Sequence, residues 1–394
     1  MSKKALLVAT IFSFHNLFER NNIKILSESG YEIHCASNGS KALGDRGDYG
    51  QLDDLDVIKH QIDFSRSPLS FSNLRAYKQI KKLINENHFD LIHCNTPIAS
   101  IITRFAARKA RKKGTKVIYT AHGFHFYKGA PLKNWLLYYT AEKICSYLTD
   151  ALITINTEDY ELAKRKMKAK EIIYTPGVGI NTNRFTNLNF NKEQKRKEMG
   201  ISPSDIILLS VGELIPRKNH ELIIRSLLKL NNKNVYYYLV GSGKLDKYLK
   251  QLTKELNIET NVKFLGYRND INELCNISDI YCFPSFQEGL PVALMEAMAC
   301  GLPVVCSNIR GNKDLIQNGL GGFLCDPNVD DFTNALNILI HDDKKRATMG
   351  SFNREYVKKF DIHIVDKMMR DIYKNVLGGK KNENISSFMQ SLER

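Results

Sequence analysis

A doubly wound α/β architecture built from two parallel-sheet domains is the fold class the sequence predicts, and three observations carry it. Short apolar runs alternate with helical, charge-bearing segments, the signature of parallel strands joined by crossover helices. The rhythm continues to about residue 155, is interrupted by a stretch rich in Asn, Lys and Gly at 176–205, and restarts at Ile206. With 394 residues, the chain also exceeds one ordinary domain of roughly 100–200 residues.

In the first half the apolar runs predict strands at 5–9, 31–36, 57–60, 91–94, 117–120 and 151–155. In the second half they predict strands at 206–211, 235–240, 262–265, 280–283, 304–306 and 322–324. The polar stretch at 176–205 holds one short amphipathic piece and is expected to be an inter-domain linker. Helical patterns follow Asp331 up to about Leu377. The expected organisation is an N-terminal domain at 1–180, a C-terminal domain at 181–360, a helix at 361–378 packing back on the N-terminal domain, and a polar tail at 379–394. No internal repeat with a period of 20–50 residues is visible. Open α/β sheets bind ligands beyond the carboxyl ends of their strands, so the expected site lies in a cleft between two facing sheets.

Composition narrows the class. Hydrophobic residues make up 43% and charged residues 25%, which excludes disordered and fibrous chains. Lys and Arg number 57 against 42 Asp and Glu, for a formal charge of +15 that implies an anionic partner. The excess is concentrated in residues 1–185, with 28 basic and 17 acidic residues against 29 and 25 in the remainder. The eight cysteines show neither C-x-x-C nor zinc-like spacing and read as buried thiols of a reducing cytoplasm. The apolar stretch at 5–9 is too short for a signal peptide, and no run approaches a membrane span. Any membrane contact is expected to be peripheral.

The most informative segment is Phe286-Gln-Glu288-Gly289-Leu290-Pro291-Val-Ala-Leu-Met-Glu296, directly after a predicted buried strand. Pro291 sits where proline suits the first turn of a helix. The free N–H groups of that turn form an anion site suited to a phosphate. Carboxylates accept well from sugar hydroxyls, and Glu288 and Glu296 can face one ligand from loop and helix. Two solvated acids on a surface helix are the alternative, but the flanking Val292, Leu294, Met295 and Met298 make this segment too apolar for it.

A second cluster follows the first C-terminal strand at Val211-Gly-Glu213-Leu-Ile-Pro-Arg217-Lys218. Cations at a strand-to-helix turn clamp a diphosphate and neutralise a leaving group. Val240-Gly-Ser-Gly243 allows close backbone approach to a ligand or simply a tight turn; it lacks the third glycine of a dinucleotide fingerprint.

These segments resemble the retaining glycosyltransferases of family 4, of two-domain GT-B architecture, whose signature is two glutamates separated by seven residues in such a setting. The resemblance covers almost the whole chain and is strongest from about 205 to 325. It implies that Lys218 holds the donor diphosphate together with the helix start at Gly289, Leu290 and Pro291. It further implies that Glu296 binds the ribose and Glu288 the sugar, and that Tyr267 and Arg268 contact the nucleobase. Where the family more often has Arg, this chain has Glu213; Arg217 is the candidate replacement cation.

In the first half, Tyr119-Thr-Ala-His122-Gly-Phe-His125-Phe-Tyr-Lys128 and the aromatic segment after it look like bacterial capsule and exopolysaccharide transferases of the same family. By that resemblance His122 contacts the transferred sugar. His15, Asn95, Thr96 and His125 are candidates for the acceptor side. His122 and His125 lack further metal ligands, and the D-x-D at Asp54 and Asp56 precedes a strand rather than following one. No obligatory metal is therefore expected. The run at 104–116 reads as a helix with one cationic face, able to recruit an anionic membrane.

The resulting expectation is a retaining transferase moving a hexose or N-acetylhexosamine from a nucleotide sugar, UDP-linked, to a lipid-diphosphate-linked glycan. It would work in the cytoplasm, peripherally at the inner membrane face. Glu288 is either a nucleophile or a sugar ligand. Two rivals remain: a sugar-nucleotide epimerase of similar architecture, and a nucleic-acid-binding protein, for which no recognisable motif is present.

Overall fold

In the computed structural model of the chain, residues 3–40, 49–186 and 191–378 are described. The polar tail expected at 379–394 lies outside them. The chain divides into two compact units, one formed by residues up to Val178 together with those from His363 onward, the other by Gly179–Ile362.

The first unit holds a seven-stranded parallel sheet in the order β3-β2-β1-β4-β5-β6-β7. Its strands are β1 (Lys3–Ile11), β2 (Tyr31–Asn38), β3 (Ile58–Gln61), β4 (Leu91–Asn95), β5 (Lys116–Ala121), β6 (Ala151–Thr154) and β7 (Glu171–Tyr174). Alternation along β1 sends Leu6 and Val8 into one apolar layer and Ala5 and Leu7 into the other. The first layer is covered by helices Ser72–Asn87 and Pro97–Lys112. The second is covered by helix Arg20–Glu28 and by the last helix, Ile362–Val376, through Val365, Met369, Ile372 and Tyr373.

The second unit repeats the plan with six parallel strands in the order β10-β9-β8-β11-β12-β13. They are β8 (Ile206–Val211), β9 (Val235–Val240), β10 (Val262–Gly266), β11 (Ile280–Phe283), β12 (Val304–Ser307) and β13 (Gly322–Cys325). In both sheets the order reverses beside the first strand, between β1 and β4 and between β8 and β11. Loops on either side of such a reversal diverge and leave room for a ligand.

All twelve predicted strands form. The unpredicted β7 is a four-residue edge strand, Glu171-Ile172-Ile173-Tyr174, whose apolar run directly precedes the polar stretch at 176–205. Within the stretch expected as a linker, Lys192–Glu198 is a helix capped by Asn191, whose Oδ1 accepts from Gln194 N at 3.0 Å. Its Lys195 pairs with Glu273 at 2.6 Å and its Arg196 donates to Ile277 O at 2.6 Å, so it belongs to the second unit. The cationic run at 104–116 also needs correction. Arg104 is fully buried, bound to Glu142 at 2.6 Å with its guanidinium over the Tyr119 ring, and Arg111 is held by Asp150 at 2.9 Å. The exposed cations of this helix are Arg108, Lys109 and Lys112. Among the described residues, no helix is long and apolar enough to cross a membrane.

Candidate active site

In the second unit, the loops after β8 and β11 meet at the reversal point. Pro216–Lys218 forms a tight turn, and Phe286 N donates to Arg217 O at 2.8 Å, joining the two loops. One oxygen of Glu288, Oε1, accepts from Lys218 Nζ at 2.8 Å and from Arg217 Nη1 at 2.9 Å. Glu288 is only 8% exposed, and Lys218 lies over the Phe283 ring at 4.7 Å. The loop thus carries one buried carboxylate between two cations and keeps a net positive charge. Arg217 reaches this carboxylate from the middle of that turn, while Glu213 is exposed.

Helix Val292–Ala299 starts one residue later than the sequence suggests. Pro291 is its cap, with extended backbone, because a proline at this point supplies the first carbonyl and needs no donor; Leu294 N and Met295 N both donate to Pro291 O. Glu296 is the fifth residue of the helix. Burial pushes its carboxyl up to about 7, opposed by the Arg184 guanidinium. Leu290 is buried and Gly289 half-buried. Arg310 Nε donates to Glu288 O at 3.2 Å, and a Cβ on Gly311 would stand 2.2 Å from Gly289 O. The loop after β12 therefore presses directly against the Glu288 loop.

Gly243 has a packing reason of its own, beside the ligand approach or tight turn that the sequence allows. A Cβ there would stand 2.5 Å from Leu214 O, and one on Gly241 would stand 1.9 Å from Gly212 O. Both glycines let this loop pack on the backbone that leads into Lys218. Tyr267 is 80% exposed just past β10, whereas the Arg268 guanidinium is held by both Asp270 oxygens.

In the first unit, Asn95 ends β4 and His122 directly follows β5, so parallel register brings them together. His122 Nε2 lies 3.0 Å from Asn95 Oδ1. The imidazole is set edge-on against Phe14, with ring centres 5.0 Å apart, and burial lowers its pKa to about 4. Thr96 adopts φ +60° and ψ 140°, rare for a β-branched residue and costing of order 1–3 kcal/mol. Its Oγ1 accepts from Thr10 N at 3.0 Å and lies 2.8 Å from Thr10 Oγ1, bridging β1 and β4 at the reversal point. His15 is fully enclosed, with Nε2 2.9 Å from Ser37 Oγ, so it offers no surface to an acceptor. His125 turns toward the aromatic segment, its ring 4.7 Å from Tyr138. In that segment Trp135, Tyr138 and Tyr139 pack on the core, while Leu136 and Leu137 are exposed.

Sequence reasoning missed Phe283, Arg310, Gly311, Arg184 and Thr10. Each acts through a partner distant in sequence. The Asp54 carboxylate of the D-x-D is bound by Arg20 at 2.6 Å. Among the described residues no group of three His, Cys, Asp or Glu side chains is arranged to hold a metal ion.

Comparison with known proteins agrees with this architecture. The family described as "Glycosyl transferase 4-like" matches residues 4–156, and "Glycosyl transferases group 1" matches residues 191–356. EpsD of Bacillus subtilis (strain 168), named as a glycosyltransferase, is 36% identical over 95% of this chain and 97% of its own. The UDP-Gal:alpha-D-GlcNAc-diphosphoundecaprenol alpha-1,3-galactosyltransferase of Escherichia coli is 30% identical over 78% of this chain and 81% of its own. Among solved structures, Anabaena HepE in complex with UDP and glucose superposes with a TM-score of 0.75 at 22% identity, covering 95% of this chain and 100% of that one. The chain belongs to glycosyltransferase family 4 and is a glycosyltransferase of the GT-B fold.

Proposed function

We propose that this enzyme moves a hexose or N-acetylhexosamine from a UDP sugar to a lipid-diphosphate-linked glycan, with retention of anomeric configuration, in capsule or exopolysaccharide synthesis. The observation that carries the reading is the Lys218–Glu288–Arg217 cluster at the start of the Val292–Ala299 helix. Departure of the nucleotide puts negative charge on the diphosphate, and the two cations and the helix start stabilise it there. Glu296 accepts from the ribose hydroxyls and His122 contacts the transferred sugar.

Glu288 acts as a sugar ligand in this reading. Two cations on its Oε1 hold the Glu288 carboxylate ionised and draw charge from it, which lowers its nucleophilicity and leaves Oε2 free to accept from a sugar hydroxyl. Same-face attack by the acceptor hydroxyl, with the leaving phosphate taking its proton, then accounts for retention. The relatives support the substrate classes: the E. coli enzyme is named for UDP-Gal and a diphosphoundecaprenol-linked sugar, and HepE was solved with UDP and glucose.

The membrane contact we propose uses the first unit. Leu69 is 84% and Phe71 86% exposed beside a largely apolar groove lined by Leu74, Ile101, Ile102 and Phe105, with Arg108 at its edge. Exposed apolar side chains flanked by cations suit an anionic bilayer surface.

Incubation of the enzyme with UDP sugars alone, followed by NMR of the sugar, separates this reading from its rival. The transferase leaves the donor unconverted apart from slow hydrolysis, whereas an epimerase equilibrates it with its epimer.

A further inference from the structure

We infer that Asn95 is a positioning residue that fixes His122 in the tautomer carrying its proton on Nε2, so that Nδ1 faces the transferred sugar as a hydrogen-bond acceptor. The inference rests on the reading of His122 as a sugar contact and replaces the acceptor-side role expected for Asn95.

Four observations support it. First, Asn95 is fully buried, so it cannot serve as a surface ligand. Its Oδ1 is 3.0 Å from His122 Nε2, and an amide oxygen only accepts, which places the proton on Nε2. Second, the amide orientation is set from behind. Nδ2 sits beside the Glu19 carboxyl, near enough to lower its pKa though short of a hydrogen bond. With Nδ2 on the Glu19 side, where it favours the ionised carboxyl, Oδ1 is left for the His122 ring. Third, the backbone holding Asn95 is clamped. The next residue is the strained Thr96, tied to Thr10 on β1, and Pro97 then opens the following helix. Backbone strain of this kind persists where surrounding structure over-determines it. Fourth, Phe14 and Phe18 pack on the imidazole with ring centres at 5.0 and 6.2 Å, limiting its rotation.

The chemical consequence is definite. Half-buried and neutral, His122 has a donor already committed to Asn95, and Nδ1 has no protein partner among the described residues. A neutral imidazole in this state selects a ligand hydroxyl that donates. It would reject a donor sugar in which that hydroxyl is replaced by a group that only accepts. The hydrogen bond to the second ring nitrogen decides which face of the imidazole is chemically active.

The test uses the full chain labelled with 15N-histidine. At neutral pH the expected spectrum shows a pyrrole-type Nε2 and a pyridine-type Nδ1 for His122, and Asn95→Leu shifts both toward a tautomer mixture. The opposite tautomer, or an unchanged spectrum in Asn95→Leu, overturns the inference. Kinetically, Asn95→Leu is expected to lower kcat by roughly 10- to 100-fold, while Asn95→Asp, which retains an acceptor oxygen, restores most of it. Wild-type kcat in a folded Asn95→Leu protein overturns the positioning role. His122→Ala serves as the separate control: if it keeps wild-type kcat, the sugar-contact reading fails, whereas the spectrum still decides the tautomer.

Discussion

Lys218 and Glu296 have different tasks in this account, and their variants should separate kinetically. Lys218 meets charge that develops as the bond breaks, so Lys218→Ala is expected to depress kcat strongly while the melting temperature changes little; equal kcat in the two proteins contradicts that role. Glu296 binds donor in ground and transition states alike, so Glu296→Ala should raise donor KM by roughly 10- to 150-fold, the equivalent of about 1.5–3 kcal/mol. Because burial holds the Glu296 carboxyl near 7, the ionised acceptor form accumulates only as pH rises through neutrality. Donor KM should therefore fall between pH 6 and pH 8, and Glu296→Gln should abolish that dependence. Both residues were legible in sequence because each sits in a local motif. The shared oxygen of Glu288 was not, since it joins positions 70 and 71 residues apart.

At the level of elements, short apolar runs mark the strands even where burial is partial, as at β3, and the run Ile172-Ile173-Tyr174 of β7 carries the same signal although the expected strands do not include it. Charge patterning misled in one helix. Arg104 looks like part of a cationic face, yet helical spacing turns it inward to Glu142. Removing one partner of a buried ion pair typically costs about 3–5 kcal/mol, so Arg104→Ala should destabilise the first unit by that order in denaturant unfolding. Charge reversal of Arg108, Lys109 and Lys112 should leave stability nearly intact and instead weaken co-sedimentation with anionic vesicles; unchanged binding would remove this surface from the membrane contact. The glycine loop after β9 obeys a packing rule. Gly241→Ala forces a Cβ to within 1.9 Å of Gly212 O, at a backbone φ of +136°. It is expected to displace the turn that carries Lys218, raising donor KM and lowering the melting temperature together.

Across the whole molecule, buried and half-buried histidines set the response to acid. Burial lowers His15, His60 and His122 to about 4 and His93 to about 3 in the first unit, and His220 to about 4 in the second. Their ordinary value is near 6.5, so between pH 6.5 and 4 the unfolded chain binds protons that the folded chain refuses, and stability falls as pH falls. Glu19 works the other way: burial raises it to about 7, so its contribution is full below about 4.5 and is lost as pH rises through 7. Four histidines outweigh the two carboxyls that burial raises in the first unit, Glu19 and Asp366, so this unit should lose hydrogen-exchange protection before the second as pH drops from 7 to 5. Earlier loss in the second unit would contradict this. The net charge of +15 was visible at once, but its division between ion pairs and open surface required the fold.

The central claim is acceptor-dependent transfer from a nucleotide sugar. The most direct test measures free nucleotide released by the intact enzyme from a panel of nucleotide sugars, with and without lipid-diphosphate-linked sugar acceptors. The account predicts rapid UDP release from one UDP sugar only when acceptor is present, and loss of that release in Lys218→Ala. No acceptor-dependent release from any donor, or equal release without acceptor, would contradict it.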